Sequence, residues 1–454
     1  MDDTIENKSV GNRALIEGAP WKGIIKFALP VFLGLLLQQL YNTADTIIVG
    51  KFESEDAMSA VGTTGVLTMA FLAFANGFSA GAGVIVAQLF GAKKDEALRK
   101  NACTSILLLL GLGVVCTGIA LLINRLMLKY VLKTPADLLE MAIVYFRIYA
   151  LGLIFQFGYN IVAAVLRGVG DSQATMYFLL IAAVLNVGLD ILFVAVLHLG
   201  TMGAALATDI AQAGCCAAAV IYMVCRYPIF RWKPKELTFE WKLALNTLKI
   251  GFPMALQQFI AATGFMFLQR AVNGYGKYMT ASFTVAMRVE TYIHLPASSL
   301  QVTQATYTGQ NLGASKPERV TQGAKQTFFI SEIITLVLSA LVFVFASQIA
   351  SVFSLTDESL AYCIKHIRTV AAVLPVFAAY FPILGLFQGA GDGFKATIVA
   401  TTVLFVRVLV TYTLCYLPFM GYRIIWWNVA FGWGSGLILA WSMYFHGGWK
   451  KKWN

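Results

Sequence analysis

Three short motifs occur twice in this chain, in the same order and at nearly one spacing. Lys26-Phe27-Ala28-Leu29-Pro30 returns as Lys249-Ile250-Gly251-Phe252-Pro253. Gln88-Leu89-Phe90-Gly91-Ala92-Lys93-Lys94 returns as Gln310-Asn311-Leu312-Gly313-Ala314-Ser315-Lys316. Leu166-Arg167-Gly168-Val169-Gly170-Asp171 returns as Phe387-Gln388-Gly389-Ala390-Gly391-Asp392. The displacements are 223, 222 and 221 residues in turn. Coincidence accounts for one such pair but not for three in order. The chain holds two copies of one design, and in an apolar chain such a duplication points to two lobes with a site between them.

The medium is set by composition. Hydrophobic residues make up 58% of the 454 and charged residues 13%, about half the share that a soluble domain carries. The apolar runs are about 20 residues each, long enough to cross the hydrocarbon core as helices, which satisfy their own backbone groups. We read about twelve: 24–49, 57–88, 101–123, 139–165, 174–197, 202–225, 249–272, 279–308, 326–349, 364–387, 397–417 and 424–446. The expected fold is an all-α membrane protein of about twelve transmembrane helices in two six-helix lobes. A tail over 1–23, a first lobe over 24–225, a linker over 226–248, a second lobe over 249–446 and a basic tail over 447–454 complete the plan. Each lobe has an even number of helices, so the repeats share one orientation and are related by an axis along the membrane normal.

The charged loops fix the orientation. Lys93, Lys94, Arg99 and Lys100 lie between the second and third spans, and Arg226, Arg231, Lys233, Lys235 and Lys242 between the sixth and seventh. Lys450, Lys451 and Lys452 end the chain, and the opposite connections are poorer in bases. The positive-inside rule then puts both termini in the cytoplasm of a cell membrane. It also explains the net charge of +11 without any nucleic acid. Asp2, Asp3, Glu6, Asn7 and Lys8 make the first residues polar, so no secretory signal is read there. The seven cysteines lie in or beside apolar spans with no Cys–His metal spacing, and read as small packing residues. Gly81-Ala82-Gly83 falls inside an apolar span without a preceding strand, so it is no nucleotide fingerprint. With no phosphate loop and no His-Glu-x-x-His helix, neither ATP-driven transport nor zinc chemistry is expected. The Gly-x-Gly-Asp pairs read as tight turns.

Residues that the bilayer should reject carry the functional signal. A charge at a helix centre costs about 2.5–3.5 kcal/mol on insertion scales. Asp190 follows Asn186 by one helical turn and shares its face. Asp45 follows Tyr41-Asn42-Thr43, and Thr208 and Asp209 open the sixth span. If they face one another, Asp45, Asn186, Asp190 and Thr208 form an oxygen-rich pocket. Two close carboxylates cannot both ionise cheaply, so the pocket would take H⁺ or Na⁺. Asp45 could instead cap a helix or pair with Lys51, and Asp209 could sit near the outer interface. In the second lobe Glu290, near Arg288 and His294, is either an acid linked to transport or half of a packed ion pair. Pro30 and Pro253 hold matching places and should bend their helices, as should Pro296, Pro375 and Pro382. Gln38, Gln39, Tyr41, Asn42, Gln257, Gln258, Met266 and Tyr292 are the candidate lining of a substrate cavity between the lobes.

Together these motifs resemble the multidrug and toxic compound extrusion transporters, over nearly the whole chain. The resemblance rests on the doubled six-helix plan and the Leu-Pro and Phe-Pro starts. It also rests on Gly91-Ala92 and Gly313-Ala314 after Gln88 and Gln310, and on the Gly-x-Gly-Asp turns. Asp45, Asn186, Asp190 and Thr208 look like the cation site of the family's DinF-like branch. The seventh and tenth spans lack the acids of its NorM-like branch. The resemblance implies a secondary antiporter, from a bacterial source. It would export amphipathic, cationic organic compounds against H⁺ or Na⁺, with no other cofactor and no ATPase subunit. The expected partners are small organic substrates and the lipid bilayer. Three alternatives stand beside it. A flippase for lipid-linked or polysaccharide precursors would need a more basic cavity than Arg147, Arg270, Arg288 and Arg407 suggest. A membrane-embedded enzyme would need a motif that is absent, and a receptor would leave the acids unexplained. Gly432, Gly434, Ser435 and Gly436 could pack helices within or between monomers, leaving oligomeric state open.

Overall fold

The computed structural model describes residues 11–132, 134–353, 355–418 and 420–449. Lys450, Lys451, Lys452 and most of the basic tail lie outside the described residues, as do the first ten residues of the N-terminal tail. Among the described residues fourteen α-helices are arranged as twelve segments, eleven of them long and apolar enough to cross a membrane and the twelfth made by α8 and α9 together. In the first lobe they are α1 (Pro20–Phe52), α2 (Glu55–Gly91), α3 (Asp95–Leu126), α4 (Ala136–Gly168), α5 (Ser172–Asp190) and α6 (Gly200–Arg226). In the second lobe they are α7 (Trp241–Asn273), α8 (Lys277–Ile293), α9 (Leu295–Gly313), α10 (Pro317–Val344), α11 (Ala346–Ser351), α12 (Asp357–Gly389), α13 (Gly393–Leu414) and α14 (Ile424–Phe445).

Two expected spans are each divided. The eighth, read as one helix over 279–308, is α8 followed by α9, with His294 between them and Pro296 in the first turn of α9. Proline has no N–H to lose at that position, so the break is cheap there. The ninth, read over 326–349, is α10 and then the short α11 after Phe345. Pro30 and Pro253 lie inside continuous helices. α3 and α5 run on as π-helical turns over Met127–Val131 and Ile191–Val196. All seven cysteines are free.

The lobes pack alike. α4 is the buried hub of the first, touching α2, α3 and α6; α12 is that of the second, touching α8, α9, α10 and α14. The lobes meet where α2 packs on α9 and through two matching pairs, α1 against α9 and α2 against α7. Small residues let these backbones close up. A Cβ on Gly77 would overlap Ala255, and one on Gly81 would lie 2.6 Å from Gly251. Bilayer helices associate by such close packing, because apolar surface gains nothing by leaving lipid for protein. Gly432 and Gly436 likewise seat α14 on α13 within the chain, facing Arg407 and Val403.

The repeated motifs all gather at the face that carries the described ends of the chain, here called the terminal face. Gln88 Nε2 donates to the Gly389 carbonyl at 2.9 Å, and Gln310 Nε2 to the Gly168 carbonyl at 2.8 Å. Gly91 rests on the Gln310 carbonyl and Gly313 on the Gln88 carbonyl, with room for no Cβ at either place. Reciprocal contacts of this kind are what a two-fold relation between lobes produces. The helix ends match too: Lys93 and Ser315 both turn left-handed at φ 55°, and Gly170 and Gly391 do so at 91° and 76°. Asp171 then accepts the Ala174 N–H at 3.1 Å and starts α5.

Residues 11–19 cross this seam as a strap. Asn12 N–H donates to Val169 of the first lobe at 3.0 Å. Asn311 of the second lobe donates to Leu15 and Arg319 to Gly18, both at 3.0 Å. The segment before α7 is held in a corresponding way. Arg99 donates to the Arg231 carbonyl at 2.8 Å and pairs with Glu236 at 2.6 Å. The Lys233 N–H and the Arg99 guanidinium together keep the Glu236 carboxyl below its ordinary range.

Gly313→Ala should push the lobes apart at the terminal face, because forcing an atom into so tight a contact costs about 1–3 kcal/mol. Spin labels at the exposed positions Glu96 and Glu318 read this directly. Their distance distribution should move outward in the variant, and an unchanged distribution would show that the seam does not need the glycine.

Candidate functional site

One large cavity, about 790 Å³, lies between the lobes. The interlocked motifs and the strap close it at the terminal face, and it runs past Gln38 and Asn42 to Asp45, Thr46 and Met58 near the opposite face. Most of its wall belongs to α1, α2 and α4; the second lobe adds residues of α7 and α9 and Gln388 of α12.

Asp45 lines this cavity on α1. Asp190, at the end of α5, is 0% exposed and lies behind it, and the two carboxyl groups meet side chain to side chain. No donor from the described residues reaches either Asp190 oxygen or Asp45 Oδ1. Two carboxyls so placed need one proton or one cation between them. Asn186 stands one turn before Asp190 and donates weakly to Thr208 Oγ1 at 3.5 Å, leaving its own Oδ1 without a partner. The four residues predicted from sequence therefore do come together. Their unpartnered oxygens suit a hard cation as well as a proton. Lys51 lies over the Phe52 ring at 5.6 Å rather than on Asp45. Asp209 faces α4, where Gly152 leaves room for its carboxyl.

The predicted lining divides. Gln38, Gln39, Tyr41, Asn42, Gln257 and Gln258 all face the cavity. Met266 does not: it is 48% exposed and lies outside the lining, on a stretch of α7 that packs through Gly264 on Leu404 of α13 in its own lobe. Tyr292 is also off the described wall. Its hydroxyl instead meets Thr43 Oγ1 at 2.8 Å, tying α8 to α1 two residues before Asp45.

Glu290 lies away from the cavity. It is buried in the second lobe, with His366 Nε2 at 3.2 Å and Arg407 and His294 nearby. Its partner is thus neither Arg288, which is exposed, nor a substrate wall. His294 stacks on Phe377 with ring centres 4.3 Å apart, and Arg407 donates to Asn428 at 2.8 Å. Sequence reading missed His366, since a lone histidine in an apolar span names no partner. It also missed the polar face of α4. Tyr145, Tyr149, Gln156, Asn160 and Arg167 line the cavity at helical spacing, and the face argument applied to Asn186 and Asp190 would have found them. Gln212 of α6, which donates to the Tyr41 hydroxyl at 3.3 Å, was missed as well.

The chain matches the family model described as MatE over residues 30–192 and 253–417. It is 25% identical over 434 residues to "Probable multidrug resistance protein YpnP" of Bacillus subtilis (strain 168), covering 96% of this chain and 97% of that one. "Probable multidrug resistance protein YoeA" of the same organism is 26% identical over 440 residues, covering 95% of each. Among solved structures, an outward-facing multidrug resistance MATE family transporter of the MOP superfamily superimposes with a TM-score of 0.91. It is 26% identical, over 98% of this chain and 99% of that one.

Leaving a buried polar group such as the Glu290 carboxyl without its neighbour costs about 1–3 kcal/mol. His366→Leu should therefore lower the thermal midpoint of the detergent-solubilised protein by several degrees. Adding Glu290→Gln should recover part of the loss. Equal midpoints in the wild type and His366→Leu would mean that the pair contributes nothing to stability.

Proposed function

The chain belongs to the MatE family of transporters, and on that footing we propose that it is a secondary antiporter that exports amphipathic organic compounds, cationic ones included, in exchange for H⁺ or Na⁺. It is a multi-pass membrane transporter and not an enzyme. The observation that carries the coupling is the Asp45–Asp190 pair, with Asp45 half-buried on the cavity wall and Asp190 buried behind it. We assign the chain to the DinF-like branch on the same four residues, Asp45, Asn186, Asp190 and Thr208. The basic loops support a cytoplasmic terminal face, by the positive-inside rule. On that reading the interlocked seam supports an outward-facing state, in which an external ion would reach Asp45 and an exported compound would leave.

Magnitudes support a cycle of this kind. An ion moving down 100 mV supplies about 2.3 kcal/mol, and one pH unit about 1.4 kcal/mol. Opening the terminal face must break the two glutamine–carbonyl bonds, worth about 0.5–1.5 kcal/mol each net. Coupling requires that ion and compound favour opposite states, since a ligand shifts an equilibrium only by its differential affinity. α1 links the parts: it carries Asp45, Thr43 with its bond to Tyr292, and Pro30, and it follows the strap. The flippase alternative needs several bases in the cavity, whereas Arg167 is the one base among the described lining residues.

In inside-out vesicles, a fluorescent organic cation should accumulate when a proton or a sodium gradient is imposed, and the effective gradient names the ion. Asp190→Asn should abolish that accumulation while leaving a folded protein. Coupled uptake by Asp190→Asn at the wild-type rate would remove the pair from the mechanism.

A further inference from the structure

The closed end of the cavity holds a charge that the proposed cycle does not use. Arg167, in the last turn of α4, lines the cavity floor. Its side chain makes no hydrogen bond or ion pair with any described residue, and its one electrostatic neighbour is the neutral Tyr159 phenol. An arginine that only anchors a helix end reaches for lipid headgroups or an acid, whereas this one is directed to the space between the lobes. Its counterpart in the repeat is Gln388, also in the floor. Gln388 Oε1 accepts from Gln301 Nε2 at 3.3 Å, so its own amide donor is left for a ligand. The floor is therefore rich in donors and positive, while the other end of the same cavity holds the carboxyl pair.

We propose that the cavity floor at Arg167, with Gln388, is a binding subsite for the anionic group of an amphipathic molecule: a carboxylate, sulfonate or phosphate. A guanidinium presents a planar fork of donors that fits such groups. This subsite is separate from the cation site. Tyr145, beside the carboxyl pair, is 22 residues of α4 from Arg167, or roughly 33 Å at the helical rise. A drug-sized molecule cannot touch both ends. An anionic or zwitterionic compound bound at the floor would then be coupled to the ion through the lobes, not by direct competition. The inference rests on the reading of the cavity as an export path, and it widens the substrate class beyond cations.

The test uses the whole protein in phosphatidylcholine nanodiscs. The probes are rhodamine B, which carries a carboxylate, its ethyl ester, which does not, and octanesulfonate. Arg167→Gln copies the residue that the second lobe has at the matching place, and Arg167→Lys keeps the charge. The wild type should bind rhodamine B, and Arg167→Gln should weaken that binding about ten- to hundredfold. Ester binding should be unchanged, and Arg167→Lys should fall between. Thermal stabilisation by octanesulfonate in the wild type but not in Arg167→Gln would support the floor site even if neither dye bound. That failure of both dyes would count against the organic-cation reading alone. Competition by added phosphatidylglycerol would identify a lipid headgroup as the source of the anion; its absence would identify a soluble compound. Equal responses of wild type and Arg167→Gln to all three probes would overturn the subsite.

Discussion

Two glutamines hold the lobes in register. Each sends its side-chain amide to a carbonyl at the end of a helix in the other lobe, Gln88 to Gly389 and Gln310 to Gly168. Each also offers its own carbonyl to a glycine of the opposite motif. In a bilayer the lobes gain little from burying apolar surface against each other, so such polar and close-packed contacts decide the register. The duplicated motifs meet here because a two-fold seam needs the same chemistry from both sides. The rest follows from this closure: a cavity sealed at one end, and helices α1 and α7 that cross onto the opposite lobe.

The interior of the two lobes is less symmetric than the seam. The first lobe sets one carboxyl, Asp45, half-buried on the cavity wall and buries a second, Asp190, behind it. The second lobe buries Glu290 against His366 and keeps both off that wall. A buried carboxyl beside a histidine has a neighbour that can take the opposite charge, whereas two facing carboxyls need a proton or a cation between them. On the proposed reading, the first lobe is the one that would take up the coupling ion. The Thr43–Tyr292 bond passes the position of α1 across to α8 of the second lobe.

Much of this was legible in the sequence. The repeat and the apolar spans gave the architecture, because length and composition decide which segments can cross a membrane. Asp45, Asn186, Asp190 and Thr208 were found because acids and amides are costly in apolar helices. Other features left no such mark. The break at His294 depends on tertiary packing, and Pro296 alone does not say whether a helix bends or stops. Met266 was misplaced because α7 has apolar residues all round, so its cavity side cannot be told from its lipid side. Arg167 stood out in the sequence only as a member of the repeated motif, since a base at a span's end is the ordinary sign of topology. Its role became visible only when the cavity reached down to it.

The central claim is that ion and organic compound exclude each other through the carboxyl pair. The most direct measurement is the affinity of the purified protein for a fluorescent organic cation, titrated over pH and over sodium concentration, in the wild type and in Asp190→Asn. An empty pair favours the compound. Wild-type affinity should therefore rise as pH rises or as the coupling ion is withdrawn, and that dependence should be lost in the variant. The same dependence in both proteins would contradict the account.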